Sequence, residues 1–481
     1  MQTHAKSNDL EDTNMEAEKF DYEIAIIGGG SAGFAAAKTA SSYGMRSILI
    51  EGAPQIGGLC ILGGCMPTKM LLHSAEVFHN SSHNRSAGIV SERVSLEFNE
   101  VMAHKNRFIN DLATERKKEI TEGKFKFMQG TARFIDANRI VVNDTVIVAA
   151  ASFVIATGSH VLVPHLAGLR EVGFLTSDDA LELKELPESM VILGGGPVAV
   201  EFAQMFARFG VRVSLLQRGE HILSECDFDS AQALERVLRR EGIDIFTKVE
   251  LLSVSQENDM KIVRFVHDGG HVSVSANTIL VALGRGSNTR SLNLVNAEVV
   301  TEQGRIVADE WMQTSATHIY AAGDCTGPHD VVHLAVQQGQ NAAHNICNPH
   351  DRQKLAEGLS LAVIFTEPQV ATVGLTEKHA KAHGIRFLAA KYLFSDHGKS
   401  IIMNATDGHV KILADPDSGL ILGAACVGPY GGELIHEIVV AIAKQMTVHE
   451  LMALPHYHPT LAEIWTYPAE MLAHQVRAQV S

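Results

Sequence analysis

"YEIAIIGGGSAGFAAAKTASSYGMRSILIEG", residues 22–52, reads as an apolar strand, a glycine turn, an alanine-rich helix and a second strand closed by Glu51. That is a complete β-α-β half-unit. Gly28, Gly30 and Gly33 form G-x-G-x-x-G directly after the strand, and Glu51 stands 18 residues beyond Gly33. Gly28 permits the tight turn, Gly30 lets backbone amides approach a pyrophosphate at the helix N-terminus, and Gly33 allows close helix–sheet contact. Glu51 can accept from ribose hydroxyls, so an adenine dinucleotide fits.

The pattern recurs at residues 190–219, "MVILGGGPVAVEFAQMFARFGVRVSLLQRG". Two copies imply two nucleotide-binding domains. Here Gly194 and Gly196 keep the turn, Ala199 replaces the third glycine, and the second strand ends in Gln217-Arg218 rather than an acid. Without that acid a 2′-phosphate is accommodated, and Arg218 points towards NADPH, with NADH left open.

Working outward, residues 133–159 alternate turn residues with short Val/Ile runs, which predicts β-hairpins and a strand returning to the first sheet. A strand is expected at 318–325 and a helix after it, with a break near 357. The last segment mixes strands with an apolar-faced helix at 432–446 and has no glycine fingerprint, which suits an α+β interface domain. The expected organisation is a mobile acidic tail (1–20), a discontinuous first dinucleotide-binding domain (21–164 and 291–357), a second dinucleotide-binding domain (165–290) and an interface domain (358–481). The fold class is α/β: two Rossmann-like domains plus a C-terminal α+β domain.

Acidic residues number 55 against 40 Lys plus Arg, so the net field of -15 repels phosphate backbones and anionic lipid surfaces. Nucleic acid and membrane are therefore not expected partners. The longest apolar run, 140–156, is broken by Asn143 and Asp144 and reads as buried strands rather than a membrane span. Six cysteines with no secretory signal at the N-terminus fit a reducing cytoplasm, where a disulfide would be catalytic.

Two of those cysteines, Cys60 and Cys65 in "IGGLCILGGCMPTK" (56–69), lie five positions apart around Gly63 and Gly64. In a straight helix five steps rise about 7.5 Å, beyond the ~4.4 to 6.8 Å Cα spacing of a disulfide, so a redox pair needs a kink there. Pro67 suits the start of a regular helix, which places Cys65 where the helix dipole stabilises a thiolate. A zinc site would need further soft ligands, and His73, His79 and His83 come with no second close cysteine pair, so no metal site is expected.

With these motifs go "IATGS" (155–159), "VALGR" (281–285), "YAAGD" (320–324) and "HPTLAE" (458–463). Together they resemble the class I pyridine nucleotide-disulfide oxidoreductase family, which includes dihydrolipoamide dehydrogenase, glutathione reductase and mercuric reductase, over roughly residues 22–475. That resemblance makes 21–164 with 291–357 the FAD-binding domain, 165–290 the NAD(P)-binding domain and 358–481 the dimerisation domain. The resemblance implies FAD held by Gly28, Gly30, Gly33, Glu51, Gly58, Lys69, Gly130, Thr157, Gly158 and Asp324, the last on the ribityl chain. It implies NADPH or NADH held by Gly194, Gly196, Ala199, Glu201, Gln217, Arg218 and Gly284, with Lys69 and Glu201 paired beside flavin N5.

It further implies that Cys60 and Cys65 are the redox disulfide, with Cys65 the charge-transfer thiolate facing the flavin and Cys60 exchanging with substrate. His458 oriented by Glu463 would be the acid-base pair, with His456 the decoy. In such proteins the dyad reaches the dithiol of the opposite subunit, which implies a homodimer. The implied activity is dihydrolipoamide dehydrogenase-like turnover of a small or protein-bound disulfide or dithiol. A mercuric-reductase-like or glutathione-reductase-like enzyme, or a docking subunit of a multienzyme complex, are the alternatives.

Overall fold

The computed structural model describes residues 20–83, 91, 93–327, 330–355 and 359–480. The expected acidic tail and the boundary near 357 lie outside the described residues.

In the first sheet the strands Lys126–Gln129, Ser47–Glu51, Tyr22–Ile27 and Val146–Ile155 lie side by side and parallel. Tyr22–Ile27 is central and its last four residues are buried, as a parallel strand covered on both faces requires. The antiparallel strands Arg139–Val142 and Ala132–Phe134 extend this sheet. Asn143 and Asp144 make the hairpin turn, both with positive φ (51° and 57°), the conformation that primed turns need. The run 140–156 is thus two strands, and Val146 and Ile147 beside the turn face solvent rather than being buried.

The chain then leaves this sheet and returns to it. Ile319–Ala321 pairs in parallel with the end of Val146–Ile155, a shorter strand than 318–325 because Gly323 turns at φ 79°. The helix Val332–Cys347 packs on the helix Ser31–Ser42, where a Cβ on Gly339 would lie 2.1 Å from the Ala32 carbonyl oxygen.

A second parallel sheet runs Asp244–Phe246, Arg212–Leu216, Ser189–Leu193, Thr278–Val281, Leu175–Thr176. A three-stranded meander, Glu250–Glu257, Met260–His267 and Gly270–Ala276, adjoins it. The last unit is a five-stranded antiparallel sheet from Leu361–Ile364 to Leu388–Leu393, backed by the helices Gly431–Ala443 and Thr466–Val480. Its core centres on the fully buried Trp465, whose Nε1 donates to the Leu434 carbonyl at 3.0 Å.

The second and third units are tied together by Lys411. Its ammonium, 2% exposed, meets Asp227 at 2.8 Å, Asp229 at 2.9 Å and Glu377 at 2.9 Å. Asp227 also accepts from the Glu377 and Lys378 amides. Asp227 and Asp229 come from the start of the helix Phe228–Arg240, Lys411 from the strand His409–Ala414.

Candidate active site

The two glycine turns share one geometry. A Cβ on Gly28 would sit 2.2 Å from the Ala156 carbonyl oxygen, and one on Gly194 2.2 Å from that of Ala282. Each first glycine is therefore pressed against the neighbouring strand's end, and each has the positive φ (106° and 123°) that glycine tolerates. Gly30 and Gly196 have nothing within 4 Å of a built Cβ, leaving the helix N-termini open to a phosphate. The third positions differ. Gly33 would drive a Cβ to 1.8 Å from the Gly28 carbonyl oxygen, whereas Ala199 carries its methyl fully buried.

Glu51 and Gln217 occupy equivalent places. Glu51 accepts from the Gly29 amide at 2.7 Å and from the Ala53 amide at 2.7 Å. Gln217 lies against Gly195, and its side-chain amide donates to the His221 carbonyl at 3.3 Å. Arg218 is exposed, with no ion-pair partner among the described residues.

A cleft of about 780 Å³ runs from the first turn past Gly58, Gly130, Thr157 and Gly158 to Asp324. Gly130 is fixed by its amide bond to the Glu51 carbonyl at 2.8 Å, and Thr157 by a bond from its hydroxyl to the Asn288 carbonyl at 2.7 Å. The Ser159 hydroxyl donates to Asp324 at 2.7 Å and accepts from Arg285 Nε at 2.8 Å. Ser159, Arg285 and Asn288 are partners that the motifs did not single out, although the first two sit inside "IATGS" and "VALGR". Asp324 thus presents a carboxylate into the cleft while Cys325 behind it is buried, and burial pushes its thiol up to about 11. An open glycine cradle at one end and a held carboxylate at the other fit an extended dinucleotide.

Both cysteines line this cleft. The helix Gly58–Leu62 stops at Gly63, and a new helix begins with Cys65 and runs to His83. The Thr68 amide and hydroxyl both donate to the Gly64 carbonyl, at 3.2 and 2.7 Å, which begins the hydrogen bonding of the new helix. A Cβ on Gly64 would lie 2.9 Å from the Leu59 carbonyl oxygen, so the break needs glycine there. Cys60 and Cys65 are both free in this structure, and each sulfur acts on the other's proton affinity. The Cys65 sulfur, more than burial, pushes Cys60 up, and the Cys60 thiol with the Lys69 charge lowers Cys65 to about 7 against its burial. Arg116 and Lys69 act to lower Cys60 as well.

One turn along the new helix, Lys69 Nζ lies 2.9 Å from Glu201 Oε2 and 3.1 Å from Oε1. The Glu201 side chain is 5% exposed, and the Phe365 amide donates to its Oε1 at 2.8 Å. The Phe365 ring sits under the ammonium at 4.5 Å. Elements of all three units thus meet at this pair. Gly284, with φ 111°, follows the strand Thr278–Val281 beside the second turn.

His458 lies elsewhere. Its Nδ1 is 3.0 Å from Glu463 Oε2, and the imidazole is 75% exposed. It does not line the cleft that holds Cys60 and Cys65. His456 is instead paired with Glu437 at 2.7 Å.

The matching family models cover most of the chain: "Pyridine nucleotide-disulphide oxidoreductase" at residues 22–339 and its dimerisation domain at 360–469. The chain belongs to this family. A dihydrolipoyl dehydrogenase of Bacillus subtilis (strain 168) is 34% identical over 92% of this chain and 96% of its own length. A mercuric reductase of Streptomyces lividans is also 34% identical, over 95% of this chain and 97% of its own. Among solved structures, the HOCl-induced flavoprotein disulfide reductase RclA from Escherichia coli superposes with a TM-score of 0.83 at 27% identity, covering 94% of this chain and all of that one. The chain is therefore a flavoprotein disulfide oxidoreductase by family, and its cofactors are FAD and NAD(P)H. No helix among the described residues is long and apolar enough to cross a membrane.

Proposed function

We propose that this protein is an FAD-dependent NAD(P)H:disulfide oxidoreductase of the dihydrolipoamide dehydrogenase kind, working as a cytoplasmic homodimer on a small or protein-bound disulfide or dithiol. The observation that carries the reading is Cys65 at the first position of its helix, lining one cleft with Cys60, with the Lys69–Glu201 pair one turn away.

Bound FAD supplies the acceptor for hydride from NAD(P)H and the donor of two electrons to the Cys60–Cys65 disulfide. Lys69, fixed by Glu201, holds a positive charge where negative charge is delivered. Taking up two electrons breaks the sulfur–sulfur bond, and the helix start and Lys69 keep Cys65 as a thiolate. Cys60 gives its proton to a His458 imidazole and attacks the substrate disulfide, forming a mixed disulfide and expelling one thiolate, which that imidazole then protonates. Cys65 attacks the Cys60 sulfur, re-forms the internal disulfide and releases the second thiol. The net change is NAD(P)H, one proton and a disulfide going to NAD(P)+ and two thiols; a dithiol substrate reverses it. His458 is exposed and away from the cleft of its own chain, so a second subunit's dithiol is its target.

Gln217 and Arg218 favour NADPH, since neither repels a 2′-phosphate. The likeness to a mercuric reductase supports Hg(II) as a second substrate class. Steady-state turnover with NADH and NADPH, and with NAD+ and NADP+ in reverse, across lipoamide, glutathione disulfide, Hg(II) and a quinone decides between them. No turnover of any disulfide or dithiol overturns the proposal.

A further inference from the structure

We propose that His397 is a positioning residue that fixes the Glu463 carboxylate and, through it, the imidazole of His458. This inference rests on the acid-base reading of His458. Glu463 faces two imidazoles. His458 Nδ1 approaches it from the solvent side at 3.0 Å from Oε2, and His397 Nε2 from the interior at 3.4 Å from Oε1. His397 is fully buried, its Nε2 makes no hydrogen bond among the described residues, and the Glu463 carboxylate is the charged group it faces.

The tautomer of His397 follows from its surroundings. A neutral imidazole has one donor and one acceptor nitrogen. Nδ1 is 2.8 Å from the Ser400 hydroxyl, which is itself fully buried and can donate. Turning the acceptor lone pair towards Glu463 would set it against a carboxylate, so Nε2 carries the proton and Nδ1 accepts from Ser400. The rest of the wall is aromatic. Phe394 and Tyr467 meet the ring edge-on at 6.5 and 6.2 Å, and Tyr392 stacks on Tyr467 at 4.1 Å. Burial holds the His397 imidazole below the usual histidine range, against the opposing pull of Glu463.

The consequence is a line of four groups, Ser400, His397, Glu463 and His458, in which only the last is exposed. Glu463 sits on the short turn Ala462–Trp465, whose Trp465 is anchored to Leu434. The backbone therefore places Glu463, but its carboxylate can rotate. His397 faces Oε1 from behind and limits that rotation, leaving both carboxylate oxygens within 3.2 Å of His458 Nδ1.

The test uses the FAD-loaded enzyme with lipoamide, glutathione disulfide and dithionitrobenzoate, taking the fastest disulfide. His397→Leu is expected to lower kcat about tenfold, the effect of freeing the Glu463 carboxylate to turn, with KM changed less than about twofold. His397→Gln, whose amide nitrogen stands near the place of Nε2, restores kcat to within about threefold of wild type. In a Glu463→Gln background His397→Leu has no further effect, because it acts through that carboxylate. Reduction of ferricyanide by NAD(P)H, which needs no disulfide exchange, and the melting temperature of His397→Gln stay as in wild type. A kcat unchanged in His397→Leu, or lowered equally when Glu463 is already Gln, overturns the inference while His458→Gln still abolishes disulfide turnover. Should His458→Gln leave disulfide turnover intact, the acid-base reading fails first and takes this inference with it.

Discussion

Lys69 and Glu201 are 132 positions apart in sequence, yet the ammonium sits 2.9 Å from the carboxylate, with the Phe365 amide donating to the same group from a third unit. One residue rides on the helix that begins with Cys65, the other on the first turns of the helix Pro197–Arg208 behind the second glycine turn. The pair therefore couples the position of the two cysteines to that of the unit with the second glycine turn.

Glu201→Gln keeps an acceptor for the Phe365 amide but removes the charge facing Lys69. Coenzyme-driven reduction should slow by about 10- to 100-fold, as loss of a preorganised electrostatic group does. Stability should fall less than the ~3 to 5 kcal/mol of a fully buried broken pair, since Lys69 is 33% exposed and water screens it. Stopped-flow absorbance and thermal melting measure the two effects separately.

Gly33→Ala tests the cradle. The new methyl would fall 1.8 Å from the Gly28 carbonyl oxygen, so the helix Ser31–Ser42 must move off the sheet. Overpacking of this kind costs about 1–3 kcal/mol. The purified variant should carry less flavin per chain than wild type, read from the ratio of visible to ultraviolet absorbance.

The lowered pKa of Cys65, about 7, sets a pH dependence. The thiolate is the deprotonated form, so it is present above pH 7 and lost as pH falls through that value. A long-wavelength absorbance band in the two-electron-reduced holoenzyme should rise with the same midpoint. It should vanish in Cys65→Ser and persist in Cys60→Ser; a band that survives Cys65→Ser contradicts the assignment of the two sulfurs.

Much of this architecture was legible because the signals are local. A strand, three glycines, a helix and an acid within residues 22–51 specify a β-α-β unit almost alone, and the second copy repeats it. The kink between Cys60 and Cys65 was legible from Gly63 and Gly64 for the same reason. What stayed hidden depends on long-range packing. His397 is one of 24 histidines and gains meaning only because the strand Leu388–Leu393 and the turn Ala462–Trp465 bring it to Glu463. The Lys411 cluster was equally silent, since a lysine within a strand reads as a solvated charge until the helix Phe228–Arg240 covers it.

Lys411→Met removes the cation among three carboxylates. Uncompensated buried charge costs about 3–5 kcal/mol, and the junction between the second and third units should loosen first. Burial alone would raise Asp229, but the hydrogen bond and charge of Lys411 hold it at about 2. A depressed carboxyl stabilises the fold above its unfolded value near ~4. The contribution is lost as pH falls from there through about 2. Acid unfolding should begin at higher pH in Lys411→Met than in wild type, followed by circular dichroism.

The central claim is that electrons from NAD(P)H reach substrate through Cys60 and Cys65. The most direct measurement is to reduce the oxidised holoenzyme anaerobically with one equivalent of NADPH or NADH, trap thiols with an alkylating label, and map labelled peptides by mass spectrometry. The account predicts two new labels per chain, on Cys60 and Cys65, with Cys226, Cys325, Cys347 and Cys426 labelled no more than before reduction. Bleaching of the flavin absorbance with no new label at either position would contradict it.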